Sequence, residues 1–427
     1  MWSKDEDLSV FGIRYTPQTK TIPLGDKILE AQVFEIPLEK LRYNASNGRI
    51  FMEVNKLKTT SSVDLKQLEN SDVDEFNKEF ERLIWESEID KNEATLDSIG
   101  KYGQLEIGVV LSDGVVIDGN RRFTCLRKLH EKYPSEEKYS YFKAAILFTK
   151  DDNITKKEIK KYELQVQFGR DKEVNYKAVN FSMSIYQEVK SGDFTVQEIA
   201  ADVNKKTNEI TKIIHTCELI ESFLKYIHQE EQLYIIEELK LYFPLEPLGS
   251  YLKNAESKLS AVEIEKRKFM FFDFLIGIDV ALPTQEFRDN LIGKVFKSPK
   301  HFTKLDNDYQ QLYKKILFDT LIKPTVEPEE FVNAVQKFKT TEVSEEIKNR
   351  YVQEVKAIEM ELMVDQPIKL CKEMIEILKN IDITSFLDST STTADDKLRE
   401  IKKYLEEGKV RIDDFDKKIC EKLGIKQ

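Results

Sequence analysis

The stretch "VVIDGNRRFTCLRKL" (residues 115–129) decides how the first third of the chain is read. It starts as an apolar strand, stops on a turn at Asp118-Gly119, and continues as a helix with Arg121 and Arg122 at its mouth. A strand that runs through a glycine turn into a helix presents unpaired backbone N–H groups, with the positive end of the helix dipole behind them. Two arginines in that first turn are locally unfavourable, because cations prefer the other end of a helix. A phosphate bound at the turn would resolve the conflict. The alternative is that the arginines pair with acidic neighbours, Asp118 or Glu106, and bind nothing.

Working outward, "EIGVVLSDGVVIDG" (106–119) reads as two strands joined at Ser112-Asp113-Gly114, a hairpin signal. "FNKEFERLIWES" (76–87) repeats apolar residues at spacings of three and four, and "ATLDSIGKYG" (94–103) ends on a glycine suited to a helix C-terminus. Residues 1–60 hold short strand-like runs such as "AQVFEIPL", broken by the turn residues of "RYNASNGRI", and "YFKAAILFT" (141–149) predicts a further strand. These elements make a mixed α/β unit over residues 1–150. Beyond it the helical period dominates, so the fold class is α+β, a small mixed unit followed by mainly helical domains.

With 427 residues, 41% apolar and 33% charged, the chain is long enough for two or three domains, each able to bury a core. Pro244, Pro247 and Gly249 predict a boundary, giving domains at 151–245 and 246–427. Further helix breaks are expected at Pro283, Pro299, Pro324, Pro328 and Pro367, and a mobile Ser/Thr-rich loop near "DITSFLDSTSTTADDK" (382–397) before a final helix pair. The four cysteines and four histidines are scattered, so neither a disulfide framework nor a metal site is expected; the thiols read as reduced and buried. The most apolar run, "FMFFDFLIGIDVALP", is interrupted by Asp273 and Asp279 and is too short for a bilayer, so no membrane contact and a cytoplasmic location are expected. A net charge of −11 opposes broad adhesion to nucleic acid, and any contact with DNA must come from a local patch.

Order and spacing over residues 30–150 resemble the ParB/sulfiredoxin-like superfamily. Ile36-Pro37-Leu38-Glu39-Lys40-Leu41, with Asn44 and Arg49, matches its first box, and Gly119-Asn120-Arg121-Arg122, with Thr124 and Cys125 beyond, matches the Gly-Glu-Arg-Arg turn of ParB proteins. The resemblance implies that this turn holds the triphosphate of CTP or ATP with Mg²⁺, and that the loop of Gly103 and Gln104 lies near the base. The third box corresponds to "LQVQFGRDKEVNYKA" (164–178), where Gln165 or Gln167, Arg170 and Asp171 are the nearest equivalents. Its Glu-Asn pair is missing, so an amide stands where a metal-holding carboxylate is expected. Sulfiredoxin's turn cysteine is replaced by Asn120, which argues against redox repair.

"TVQEIAADVNKKTNEITKIIHTCELI" (195–220) has helix-turn-helix spacing, and in ParB proteins such a motif follows the third box at about this distance. Thr195 caps the first helix, Ile199, Ala200 and Val203 face inward, "NKKT" turns, and Ile210, Ile213 and Ile214 pack back. Lys205, Lys206, Thr207, Asn208, Thr211 and Lys212 would line the exposed first turn and contact DNA, whereas Glu209, Glu218 and Glu221 favour an ordinary helical hairpin. The leading expectation is a ParB-like, nucleotide-binding protein that contacts DNA and is nucleoid-associated.

An enzyme is the second reading: an NTPase, phosphotransferase or nuclease on the same fold, in defence against mobile DNA, with Glu35, Asp118 and Asp171 as candidate catalytic carboxylates. The third is an adaptor whose C-terminal domain recruits a protein partner. A homodimer is expected on general grounds.

Overall fold

The structure, a computed structural model, describes residues 1–25, 27–45, 47–60, 65–166, 178–323, 327–380 and 392–425. Its contacts divide the chain into two units, Met1–Val355 and Lys356–Gln427.

The first unit begins with a six-stranded mixed sheet: β1 (Arg14–Leu24), β2 (Lys27–Pro37), β3 (Arg42–Tyr43), β4 (Gly108–Leu111), β5 (Val115–Asp118) and β6 (Tyr141–Leu147), in the order β1-β2-β6-β4-β5-β3. β6 sits inside the sheet, antiparallel to β2 and parallel to β4. Where the sequence suggests short runs, β1 and β2 are each 11 residues long. Pro17 and Pro23 look like strand breakers, but β1 is an edge strand, so the N–H groups they lack are not needed by a second neighbour. The register shifts between Tyr15 and Thr19, around Pro17.

Four helices follow β3: α1 (Phe51–Thr60), α2 (Leu65–Ser71), α3 (Val73–Ser87) and α4 (Ile89–Tyr102). Asp72 starts α3 by accepting the Glu75 N–H at 3.0 Å, and α4 stops at Gly103, whose positive φ lets its N–H reach the Ile99 carbonyl. α5 (Asn120–Lys132) follows β5 directly. Alternate side chains of β6 divide between two cores. Phe142, Ala144 and Ile146 join Tyr43, Phe80 and Phe123 on the face covered by α3 and α5. Ala145 and Leu147 join Ile22, Val33, Val109 and Tyr162 on the other, where Tyr162 comes from α6 (Lys156–Leu164).

The helical part continues with α7 (Ala178–Lys190), α8 (Val196–Asp202), α9 (Thr207–Tyr226), α10 (Tyr234–Glu238), α11 (Tyr242–Ala255), α12 (Ala261–Gly277) and α13 (Pro283–Glu286), the last running into a π-helical turn, Phe287–Val295. Then come α14 (Pro299–Leu312), α15 (Lys314–Leu321), α16 (Pro328–Phe338) and α17 (Glu342–Asn380). Pro283, Pro299 and Pro328 open helices, where a missing N–H costs nothing. Pro244, Pro247 and Gly249, expected at a boundary, lie within α11; Gly249 lets that helix approach His215 and Leu219 of α9, since a Cβ there would sit 3.4 Å from each. Pro367 likewise lies inside α17 instead of ending it.

The second unit holds the end of α17 and α18 (Thr392–Leu423), one continuous helix where a pair is expected. The expected loop at 382–397 falls mostly on residues outside those described; from Thr392 it is helix. Cys125 and Cys217 are buried as expected, but Cys371 is exposed and Cys420 half-buried, because both stand on these terminal helices. Among the described residues no helix is long and apolar enough to cross a membrane.

Candidate functional site

The β5–α5 junction forms as its sequence suggests. Gly119 adopts φ +101°, and a Cβ at this position would come within 2.9 Å of the Phe142 ring and 3.1 Å of the Arg122 guanidinium, so only glycine fits without displacement. Among the described residues no side chain caps α5; its first return bond is the Phe123 N–H to the Gly119 carbonyl at 2.9 Å. The N–H groups of the first turn are therefore left without partners inside the helix. This end of α5 borders a cleft of about 900 Å³, lined also by Lys20, Asn47, Gly103, Glu106 and Asp118.

The side chains around the cleft are bound to one another. Arg122 donates to Glu106 Oε2 at 2.6 Å and to Asp118 Oδ1 at 3.1 Å. The second oxygen of Asp118 accepts from Lys20 Nζ at 3.1 Å, and Lys20 also reaches the Ile107 carbonyl at 2.5 Å. Arg121 donates Nε to Asn92 Oδ1 at 2.9 Å and forms an ion pair with Glu88 at the start of α4. Three cations thus meet three carboxylates. The cations and Asp118 are about 15% exposed, whereas Glu106 is 81% exposed and is the partner most open to water. Asn120 donates to the Val116 carbonyl at 3.1 Å, while its buried Oδ1 has no partner among the described residues.

Of the residues read from the sequence, Gly103, Gly119, Asn120, Arg121, Arg122 and Asp118 all line this one cleft. Gln104 is turned into the fold: its amide accepts the Lys143 N–H and donates to the Lys143 carbonyl, each at 2.7 Å, which pins the loop to β6. Thr124 is fully buried at 2.8 Å from the Tyr43 hydroxyl. Gln165 donates to Asp202 at 3.2 Å, and Glu35 faces Lys143 across β2 and β6 without lining the cleft. Gln167, Arg170 and Asp171 lie outside the described residues.

Two groups escaped the sequence reading. Lys20 comes from an edge strand 98 residues before Asp118, and no local pattern marks it. Glu163, one helical turn before the cleft residue Val166, is 5% exposed and accepts from Asn44 at 2.5 Å; Lys160 Nζ is 3.4 Å away. Burial pushes its carboxyl up against the opposing pull of Lys160 and Asn44. The signal was present in "KKYELQ", where a glutamate sits on the apolar face of an amphipathic helix. Among the described residues no group of three or more His, Cys, Asp or Glu is placed to hold a metal ion.

α8 and α9 pack as the two arms of a helix-turn-helix. Thr195 and Glu198 form a capping box at α8, and Ile199, Ala200, Val203 and Ile210 share a core with Leu164, Ile185 and Phe194. The turn leaves Lys205, Lys206, Thr207, Asn208 and Lys212 exposed, with Thr211 half-buried and its hydroxyl returned to the Thr207 carbonyl. Glu209 stands in the same turn, 3.6 Å from Lys205. Glu221 is taken up by Lys190 and Tyr186 on α7, away from that first turn.

Set beside known proteins, the chain matches no family model, and no curated protein is significantly similar to it.

Proposed function

We propose that the cleft at Gly119 binds the phosphates of a nucleoside triphosphate, CTP or ATP, and that the helix-turn-helix of α8 and α9 binds DNA, as the resemblance to ParB-like proteins implies. The observation that carries the reading is the uncapped N-terminus of α5 with Arg121 and Arg122 opening on a cleft of about 900 Å³. That volume lies within the range of roughly 300–1,000 Å³ usual for small-ligand sites. Backbone N–H groups and the helix dipole would hold the anion, and Arg122 would turn to it from Glu106, whose exposed carboxylate loses little on returning to water.

An Mg²⁺ carried with the nucleotide would find Asp118 and Glu106 as carboxylates in the cleft lining, and it would neutralise phosphate charge there. Asp118 is engaged by Lys20 and Arg122, which makes it a counter-ion that orients these cations. That supports binding and switching in preference to turnover. DNA contact would come from Lys205, Lys206 and Lys212 to phosphates and from Asn208 to a base edge. A nucleoid location follows from that role.

The test is fluorescence anisotropy of labelled duplex DNA titrated with the protein, with each nucleotide and without. The expected result is retention that one nucleotide changes by at least about tenfold, as a ligand with different affinities for two states must do. Retention unaffected by every nucleotide, with the cleft silent in a direct binding assay, would overturn the reading.

A further inference from the structure

Lys20 stands where a strand ordinarily places an apolar side chain. On β1 it shares a face with Ile22 and Leu24, both buried in one core with Val109, Ile117 and Tyr162. Its side chain is only 16% exposed, and its Nζ is fixed by the Ile107 carbonyl at 2.5 Å and by Asp118 Oδ2 at 3.1 Å. The position of this ammonium is therefore set before any ligand arrives. β1 lies four places from β5 in the sheet order, so Lys20 meets Asp118 across the cleft and not through strand pairing.

Asp118 divides its two oxygens between two cations, Oδ2 to Lys20 and Oδ1 to Arg122. Both cations line the cleft, one carried by an edge strand and the other by the first turn of α5. The free N–H groups of that turn suit one phosphoryl group. Lys20 is no part of the helix end, and a ligand held there reaches it only if a further anionic group extends past Asp118. Ile107, Ile117 and Val166 line the same cleft and belong to, or pack on, the core that buries Ile22. Beside such an apolar wall a fixed charge acts more strongly than it does in open water.

We propose that Lys20 binds a second phosphoryl group of a chain whose first is held at the N-terminus of α5, so that the cleft takes a di- or triphosphate and discriminates against a monophosphate. This rests on the reading of the cleft as a phosphate site and adds to it the residue that senses chain length. A lysine suits the task, since a compact ammonium on a flexible stem can serve an oxygen of the ligand as a point charge without a bidentate geometry.

The experiment is calorimetric titration of inorganic orthophosphate, pyrophosphate and tripolyphosphate, then of CTP, ATP and their monophosphates, into the wild type and into Lys20→Met, which keeps the aliphatic stem and removes the charge. The wild type is expected to bind tripolyphosphate at least about tenfold more tightly than orthophosphate, and Lys20→Met to lose that preference while its orthophosphate affinity stays within about twofold. Circular dichroism checks the fold of the variant. Equal affinity of the wild type for all three inorganic anions would overturn the inference whether or not the variant folds. So would a loss in Lys20→Met that is the same for orthophosphate and tripolyphosphate, the mark of a lysine that only holds Asp118 in place. Nucleoside triphosphates bound equally by both proteins would remove the role of Lys20 and leave the nucleotide reading intact. Lys20-dependent binding of tripolyphosphate without binding of any nucleotide would do the reverse, and no binding of any of these anions would overturn both.

Discussion

α5 and α9 pose the same electrostatic problem and solve it differently. α5 carries Arg121 and Arg122 in its first turn, and α9 has Lys206 at its N-cap with Lys205 before it. In both cases cations stand at the positive end of the helix dipole, and among the described residues neither helix is capped by a side chain. At α5 the solution is internal: Arg121 and Arg122 are nearly buried, and the carboxylates they meet come from α4, β5 and the loop before β4. At α9 the lysines stand in water, and among the described residues only Lys205 has a carboxylate near it, Glu209 in the first turn of the helix. Buried, paired charges are preorganised and little screened, so they suit recognition of one small anion at fixed geometry. Exposed lysines act through a field that salt screens, so they suit a long polyanion. The protein thus carries two kinds of cationic cluster within one chain of net charge −11.

The sharpest way to break the comparison is to reverse charge at α9. Lys205→Glu/Lys206→Glu is expected to weaken DNA binding by about a hundredfold at moderate salt and to flatten its salt dependence, while nucleotide binding stays as in the wild type. Loss of both activities together would show that the two sites are not separate. Next in size is Gly119→Ala, which forces a Cβ against Phe142 and imposes a left-handed backbone on a residue that disfavours it. A cost of about 2 kcal/mol is expected in denaturant unfolding, with nucleotide affinity down roughly tenfold. A smaller effect, of opposite sign, is expected from Glu106→Gln. It removes the solvent-exposed competitor for Arg122 and leaves the cleft one positive charge in excess, so anion affinity should rise severalfold in equilibrium titration. Unchanged affinity would mean that Arg122 does not leave Glu106 when the ligand binds.

A separate effect, on stability alone, concerns a carboxylate that lacks the cationic partners of Asp118. Asp273 on α12 is 1% exposed and accepts from the Tyr226 hydroxyl at 2.6 Å. Burial pushes its carboxyl up to about 7 from the usual 3.8. Because the folded value exceeds the unfolded one, its contribution is complete below about pH 4 and is lost as the pH rises through 7. Asp273→Asn should therefore become more stable relative to the wild type between pH 5 and pH 8, as read from thermal midpoints. A stability difference independent of pH would contradict this assignment.

What could be read from the sequence was local. The hairpin at Ser112-Asp113-Gly114 and the passage from β5 into α5 depend on residues adjacent in the chain, and both form where the pattern places them. The arms of the helix-turn-helix are equally local, held by Thr195 and by apolar spacing. Both of the sequence's proposals for Arg122 rest on the same geometry: its carboxylate partners are Glu106 and Asp118, and the helix end beside it is uncapped.

The remainder depended on distance. Lys20 reaches Asp118 only because β1 and β2 extend past two prolines that look like breaks. The buried Glu163 is met by Asn44, 119 residues earlier in the chain. The proline and glycine stretch at 244–249 remains helical because α9 lies against it. Pro367 reads as a helix end in the sequence, yet α17 runs through it.

The most direct test of the central claim is calorimetric titration of CTP, ATP, GTP and UTP, with and without Mg²⁺, into the wild type and into Arg121→Ala/Arg122→Ala. Saturable binding of one nucleotide to the wild type, lost in the double variant while its fold persists by circular dichroism, is the predicted result. Absence of binding by all four, or equal binding by both proteins, would contradict it and leave the arginines as partners of Glu88, Glu106 and Asp118 alone.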